Sequence, residues 1–374
     1  MATHANLALE RDAHSTLVVI FLRGAADGLT LVPPVEDDNY HRFRPRLAVK
    51  KTEAIPLEGV FGLHPEMRAL ERAWKEGDLA IVHGAGGESD TRSHFEAQDL
   101  MEHGGVAAGG WLGRFLQSRG PTQSPLSAVA LAPTLPEILS GAPNVAAFRS
   151  VEEFSLGHAL TDAFPRELQR LYAAEPDDLR MAAQNTFEAI RRIEAIPGHA
   201  AADHGAEYDE KDKFAQGLRQ VARLIKANVG LDAASVDLDG WDTHFTQQTL
   251  ILPLMRRLAN GLAAFRQDLG QRMANTTVVV LTEFGRRVAE NSAFGTDHGR
   301  GSTLFVMGGG VRGGRVIGGW PGLKPEMLEG PGDLPVWNNY RDVLAPVLMR
   351  HGASKESLGK IFPEFGLNPI ELYV

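Results

Sequence analysis

Residues able to ligate a metal or drive a displacement recur beside the short apolar runs of this sequence. RGAADGL puts Asp27 on a glycine-flanked turn directly after the run Thr16 to Leu22. HGAGGESDTRSHF follows Leu79 to Val82 and ends in Ser93 and His94, where a helix is expected to begin. DLDGWDTH after Val236 carries Asp237, Asp239, Asp242 and His244, and TEFGRR after Leu281 carries Glu283, Arg286 and Arg287. GTDHGRG, just ahead of Thr303 to Met307, carries Asp297 and His298. Carboxylate oxygens and imidazole nitrogens gathered in one place suit divalent cations such as Zn²⁺ or Mn²⁺. Arg23, Arg92, Arg286, Arg287 and Arg300 are suited to offsetting a negatively charged substrate. Each residue alone has a plainer role. A carboxylate after a strand caps a helix or forms a turn, an arginine is a surface charge, and Ser93 with Glu96 three residues on is a capping box. The combination carries the signal, because ligands of open α/β sheets bind beyond the carboxyl ends of the strands.

The elements that must position these residues can be read from periodicity. Thr16 to Leu22, TLVVIFL, is continuous, apolar and β-branched, as expected of a parallel strand covered on both faces. Leu79–Val82, Leu126–Leu131, Thr277–Leu281 and Thr303–Met307 repeat the pattern. Helical patterns over Pro65–Lys75, His94–Glu102, Leu179–Ile196, Asp212–Ala227 and Thr249–Leu269 lie between them. Alternating strands and helices predict an α/β fold with a mostly parallel central sheet and helices on both faces. One domain over residues 1–374 is expected, with a helical segment at about 160–230. Pro197–Asp209, rich in Gly, Ala and His, reads as an exposed linker inside that helical layer, and its Asp203-His204-Gly205 as a chance echo of the later DHG. Trp111 and Trp241 are expected in the core.

Composition removes whole classes of function. The 374 residues carry 38 Lys+Arg against 47 Asp+Glu, a net charge of −9, which argues against a general nucleic-acid binder. With no Cys there is no thiolate nucleophile, thiolate zinc site or disulfide. No run approaches the ~20 apolar residues of a membrane span. MATHANLALERDAHS has no basic stretch leading into an apolar one, so the expectation is a cytoplasmic chain, or a periplasmic one from which an export signal has been removed. No G-x-S-x-G elbow marks an ordinary serine hydrolase.

RGAADGL, SHFEAQ, GWLGR, GWDTH, TEFGRR with the downstream Asn291, and GTDHGRG followed by a strand and GGGVRGG resemble, in this order, the DUF1501 family, which is related to the alkaline phosphatase and sulfatase superfamily. The resemblance spans about residues 16–350 and implies an alkaline-phosphatase-like three-layer sandwich. By that resemblance Asp27, Ser93 and Glu283 hold one divalent metal, and Asp242, His244 and His298 a second. Ser93 is then the nucleophile, with Arg286 as a catalytic partner. The cofactor implied is one or two ions of Zn²⁺, Mn²⁺, Mg²⁺ or Ca²⁺, and the partner a small anionic ester. Two departures stand out. Glu283-Phe284 replaces the superfamily's usual Asp-His pair, and Asp242 and His244 are closer together than its Asp-x-x-x-His. The function implied is a metal-dependent phosphate or sulfate ester hydrolase; the alternative is a degenerate member that binds an anion or metal without turnover.

Overall fold

The computed structural model describes residues 14–120, 124–154, 163–196 and 203–373. Its frame is a nine-stranded sheet. In chain order the strands are β1 (Thr16–Arg23), β2 (Leu79–Gly86), β3 (Ala128–Ala130), β4 (Val145–Ala147), β5 (Ala233–Asp239), β6 (Thr276–Leu281), β7 (Ser302–Gly308), β8 (Arg315–Ile317) and β9 (Asn338–Asn339). They lie in the order β8-β2-β7-β6-β1-β5-β3-β4, with β9 pairing alongside β2. Every pairing is parallel except those of β7, which runs antiparallel to both β2 and β6.

The central strand shows why the apolar runs are continuous. Successive side chains of a strand point to opposite faces, and in β1 both faces are buried. Val18, Ile20 and Leu22 pack in one core with Phe214, Leu218 and Val221 of the helix Lys213–Lys226 and Met255, Leu258 and Phe265 of the helix Gln247–Leu269. Leu17, Val19 and Phe21 pack in the other with Trp111, Leu112 and Phe115 of Trp111–Ser118 and Val343, Leu344 and Val347 of Tyr340–Arg350. Each such side chain withdrawn from water contributes about 1.5–3 kcal/mol. The mostly parallel α/β architecture with helices on both faces is therefore as expected, and Trp111 and Trp241 are fully buried.

Element boundaries differ in instructive places. The expected helix Pro65–Lys75 is a 3₁₀ stretch, Pro65–Leu70, followed by one α-turn, Glu71–Lys75. The expected strand Leu126–Leu131 shortens to β3. Strands β4, β8 and β9, of two or three residues each, are too short to stand out by periodicity. The helical region contains Ala163–Ala173, Asp177–Glu194 and Lys213–Lys226. Of the expected linker, residues 197–202 lie outside the described residues. Its second half is anchored: Gln267 donates to the His204 carbonyl and the Tyr208 hydroxyl to Asp268, tying it to Gln247–Leu269.

The candidate metal centre

The reversal of β7 sets up the site. Because β7 runs opposite to its neighbours, the segment entering it stands at the edge where β1, β5 and β6 end. His298 thus meets residues that come just after strands. A bridge between Arg286 and His298 joins the loop leaving β6 to the loop entering β7. Gly24, after β1, closes the edge from a third side. Its φ is +114°, and a Cβ there would lie 2.5 Å from the Asp242 backbone nitrogen, so only glycine permits the approach. Ala25 follows at φ +64°, a strained value for a residue with a side chain.

Arg286 pins these loops together. Its buried guanidinium donates to the carbonyls of Ala25 (2.8 Å), Gly24 (2.6 Å), Trp241 (3.1 Å) and Thr296 (3.1 Å), and to Asp242 Oδ1 (2.8 Å). Nε, Nη1 and Nη2 each donate to protein oxygens, which gives Arg286 a positioning role at this edge.

Around Asp242 three imidazoles converge. His244 Nε2 is 3.1 Å and His298 Nε2 3.2 Å from Asp242 Oδ1, and His94 Nε2 is 3.4 Å from Oδ2. His244 Nε2 and His298 Nε2 stand 2.9 Å apart. Behind the rings, oxygens face the other nitrogens. His94 Nδ1 is 2.9 Å from Glu283 Oε1, His298 Nδ1 is 2.9 Å from the Arg92 carbonyl, and His244 Nδ1 is 3.7 Å from Asp297 Oδ1. A carbonyl or carboxylate only accepts, so the Nδ1 of His94 and of His298 carries a proton, and it is Nε2 that faces Asp242. Metal-bound histidines are held in this manner, one nitrogen on the ion and the other donating to an oxygen.

Two observations test whether a cation fits here. Ligand atoms from His94, Asp242 and His298 all lie within 4.8 Å of one another, and His94 Nε2 is buried with no hydrogen-bond partner. Two nitrogens and a carboxylate oxygen, with His244 beside them, form a donor set suited to Zn²⁺ or Mn²⁺. The residues fit a divalent ion.

Electrostatics keep the carboxylates charged. Although burial pushes it upward, the Asp242 carboxyl is held well below the usual carboxylate range by Arg286 and His298. Burial likewise raises Glu283, but hydrogen bonds from His94 and Gln98 outweigh it and lower its pKa. The same Glu283 hydrogen bond raises His94. Burial lowers His298, and the nearby Arg286 adds to the effect against the pull of Asp242.

Of the six expected ligands, Asp242, His244 and His298 come together. Asp27 does not join them. It is buried against Arg44, which donates Nη1 to Oδ2 (2.6 Å) and Nη2 to Oδ1 (3.1 Å), while Thr30 and Gln247 also donate to Oδ2. Glu283 contacts the cluster only from behind, through His94; its Oε1 also accepts from Gln98 Nε2 and the Gly24 N–H, both at 2.9 Å. Ser93 caps the helix His94–His103, its Oγ accepting a long 3.5 Å bond from the Glu96 N–H. The five arginines expected to meet a substrate anion all face protein carboxylates: Arg23 with Glu102 and Asp237, Arg92 with Asp333, Arg286 with Asp242, Arg287 with Asp297 and Arg300 with Glu329. Sequence reading missed His94 as a candidate ligand and Arg44 as the partner of Asp27. The spacing of His94 and Gln98 in SHFEAQ was the available signal for the first, since residues four apart share a helix face and both reach Glu283.

A family model described as a protein of unknown function (DUF1501) matches residues 88–358. The chain belongs to that family. No curated protein matches the sequence. Solved structures similar to this DUF1501 chain include alkaline phosphatase from the Antarctic bacterium TAB5, at 10% identity over 80% of this chain and 92% of that one, with a TM-score of 0.34. The PH0037 protein from Pyrococcus horikoshii is similar at 14% identity over 95% and 99%, with a TM-score of 0.36. BT1596, a 2-O GAG sulfatase, is similar at 9% identity over 94% and 75%, with a TM-score of 0.34. Among the described residues no helix is long and apolar enough to cross a membrane.

Proposed function

We propose that this DUF1501 protein is a metal-dependent hydrolase of phosphate or sulfate esters, with one divalent ion held by His94, Asp242 and His298 beside His244. The observation that carries the reading is the convergence of three Nε2 atoms on one ionised carboxylate. A bound divalent ion supplies Lewis acidity toward an ester oxygen and stabilises the charge that develops there.

The chain's own residues do the rest. Asp242 stays ionised under the hold of Arg286, while Glu283 and the Arg92 carbonyl fix the orientation of His94 and His298. Ser93 precedes His94 at the N-terminus of His94–His103, an end whose free N–H groups and dipole favour negative charge. Its exposed hydroxyl is the proposed nucleophile. Attack forms a bond from Ser93 Oγ to phosphorus or sulfur, the bond to the alcohol oxygen breaks, and the serine proton leaves with the alcohol. Water then cleaves the seryl ester and restores the hydroxyl.

One observation favours the reading of binding without turnover. Asp27 and Glu283, which the resemblance assigns to a metal shared with Ser93, face Arg44 and His94 instead. One experiment separates the two. Protein reconstituted with Zn²⁺ or Mn²⁺ is measured for metal content and screened against chromogenic phosphate and sulfate esters, alongside Ser93→Ala. The hydrolase reading expects turnover that Ser93→Ala reduces by several powers of ten, each worth ~1.4 kcal/mol of barrier, with metal content unchanged. Stoichiometric metal with no turnover supports binding alone, and negligible metal sinks the hydrolase reading and leaves only binding of an anion.

A further inference from the structure

A cavity of about 530 Å³ adjoins the cluster, within the range typical of small-molecule sites. Phe284 is the shared wall. Its ring stacks on His94 with centroids 5.1 Å apart, contacts His298 at 4.9 Å, and also lines the cavity. Ala97, Leu100, Met101, Val106 and Pro363 supply most of the remaining apolar wall.

The polar groups around this cavity are largely committed to each other. Arg341 donates to Glu88, and Arg300 pairs with Glu329. Thr91 donates to Glu96. Glu96 and Glu364 also line the space, and these carboxylates disfavour a second negative charge. Val106 is unusual. It is 80% exposed, on a glycine-rich loop with positive φ at Gly104, Gly105 and Gly109, so an apolar side chain stands in water at the apolar side of the cavity. A ligand that covered it would recover part of the cost of that exposure.

We infer that this cavity receives the uncharged organic portion of the ester, and that the substrate class is a monoester of an aromatic or bulky aliphatic alcohol. The inference rests on the proposed metal site, since the anionic end is placed at the cluster. Phe284 then stands between the two parts of the substrate, imidazoles on one side and the organic group on the other.

Inert anions test this without requiring turnover. Methylphosphonate and 1-naphthylmethylphosphonate, and likewise methanesulfonate and naphthalene-1-sulfonate, are titrated calorimetrically into the Zn²⁺-loaded protein. The naphthyl member of a pair is expected to bind at least tenfold more tightly. That preference is expected to fall to threefold or less in Val106→Asp, whose site is exposed, and in Leu100→Gln. Equal affinity within each pair, or a preference that both variants retain, overturns the cavity assignment while leaving the metal site standing. If no anion binds the metal-loaded protein, the reading of the cluster as an ester site falls and this one with it. Anion binding with the naphthyl preference but no hydrolysis of any ester supports the cavity and removes only the catalytic claim.

Discussion

Asp27 and Asp242 stand at the same edge of the same sheet, each just after a strand, and the fold uses them in opposite ways. Asp27 is 1% exposed and grips Arg44 through both carboxylate oxygens. Asp242, with 47% of its side chain exposed, is ringed by three imidazoles. The difference lies in the opposing cation. A guanidinium is charged at any relevant pH and fills the geometry of a carboxylate by itself. An imidazole, unlike a guanidinium, can give up its Nε2 proton and then has a lone pair to donate. One aspartate is therefore closed around a built-in cation, and the other is open to an external one.

The largest effect expected from this contrast is on stability. Arg44→Met removes the partner and leaves Asp27 charged and buried, a loss of about 3–5 kcal/mol for breaking such a pair from one side. The Arg44 donors to the Val288 and Arg287 carbonyls go with it. Denaturant melts should show the drop, whereas metal content, measured where the variant is still folded, should stay at the wild-type level. A variant of wild-type stability that loses metal would place Asp27 in the metal site after all.

A smaller effect is expected at the other aspartate. At a hundredfold excess over Kd, Zn²⁺ should stabilise the protein by about 2.7 kcal/mol, and His298→Ala should abolish that gain. Glu283→Gln should weaken the metal by about 10–100-fold, because it holds His94 from behind. A metal-induced rise in Tm that survives His298→Ala would break the contrast between the two sites.

The same pair of aspartates shows what is legible in a sequence. Asp242, His244 and His298 sit in short polar motifs flanking strands, and the sheet brings those motifs together. Asp27 sits in a similar motif, but its role is set by Arg44, which caps the short helix Asp38–Phe43. Nothing local to either residue records that pairing. His94 was hidden for another reason: at the first position of a helix it reads as part of a cap, and only its contacts with Glu283 and Asp242 give it another meaning. Strand β1 was legible because both of its faces are buried. The two- and three-residue strands at the edges of the sheet have no periodicity to read.

The mildest test extends the contrast from carboxylates to imidazoles. The cluster histidines have oxygens on Nδ1, but three others are buried with little to compensate a charge. His83 makes a single 3.3 Å contact with the Val32 carbonyl, the Nδ1 of His64 accepts from the Glu66 N–H, and neither ring nitrogen of His351 has a partner. Burial lowers each of the three to about 4, with Arg119 and Arg350 adding to the effect at His351. Unfolded, the same side chains titrate near 6.5. Below that pH the unfolded chain takes up protons that the native one refuses, so the contribution is complete above pH 6.5 and is lost as pH falls toward 4. One pKa unit corresponds to about 1.4 kcal/mol, so each histidine withdraws about 2 kcal/mol between pH 6.5 and 5. His351→Leu removes one such group without removing a hydrogen bond. Urea midpoints across this range should therefore fall less steeply for His351→Leu than for the wild type. Parallel profiles would show that His351 takes up its proton without unfolding, and that burial alone does not keep an imidazole of this protein neutral.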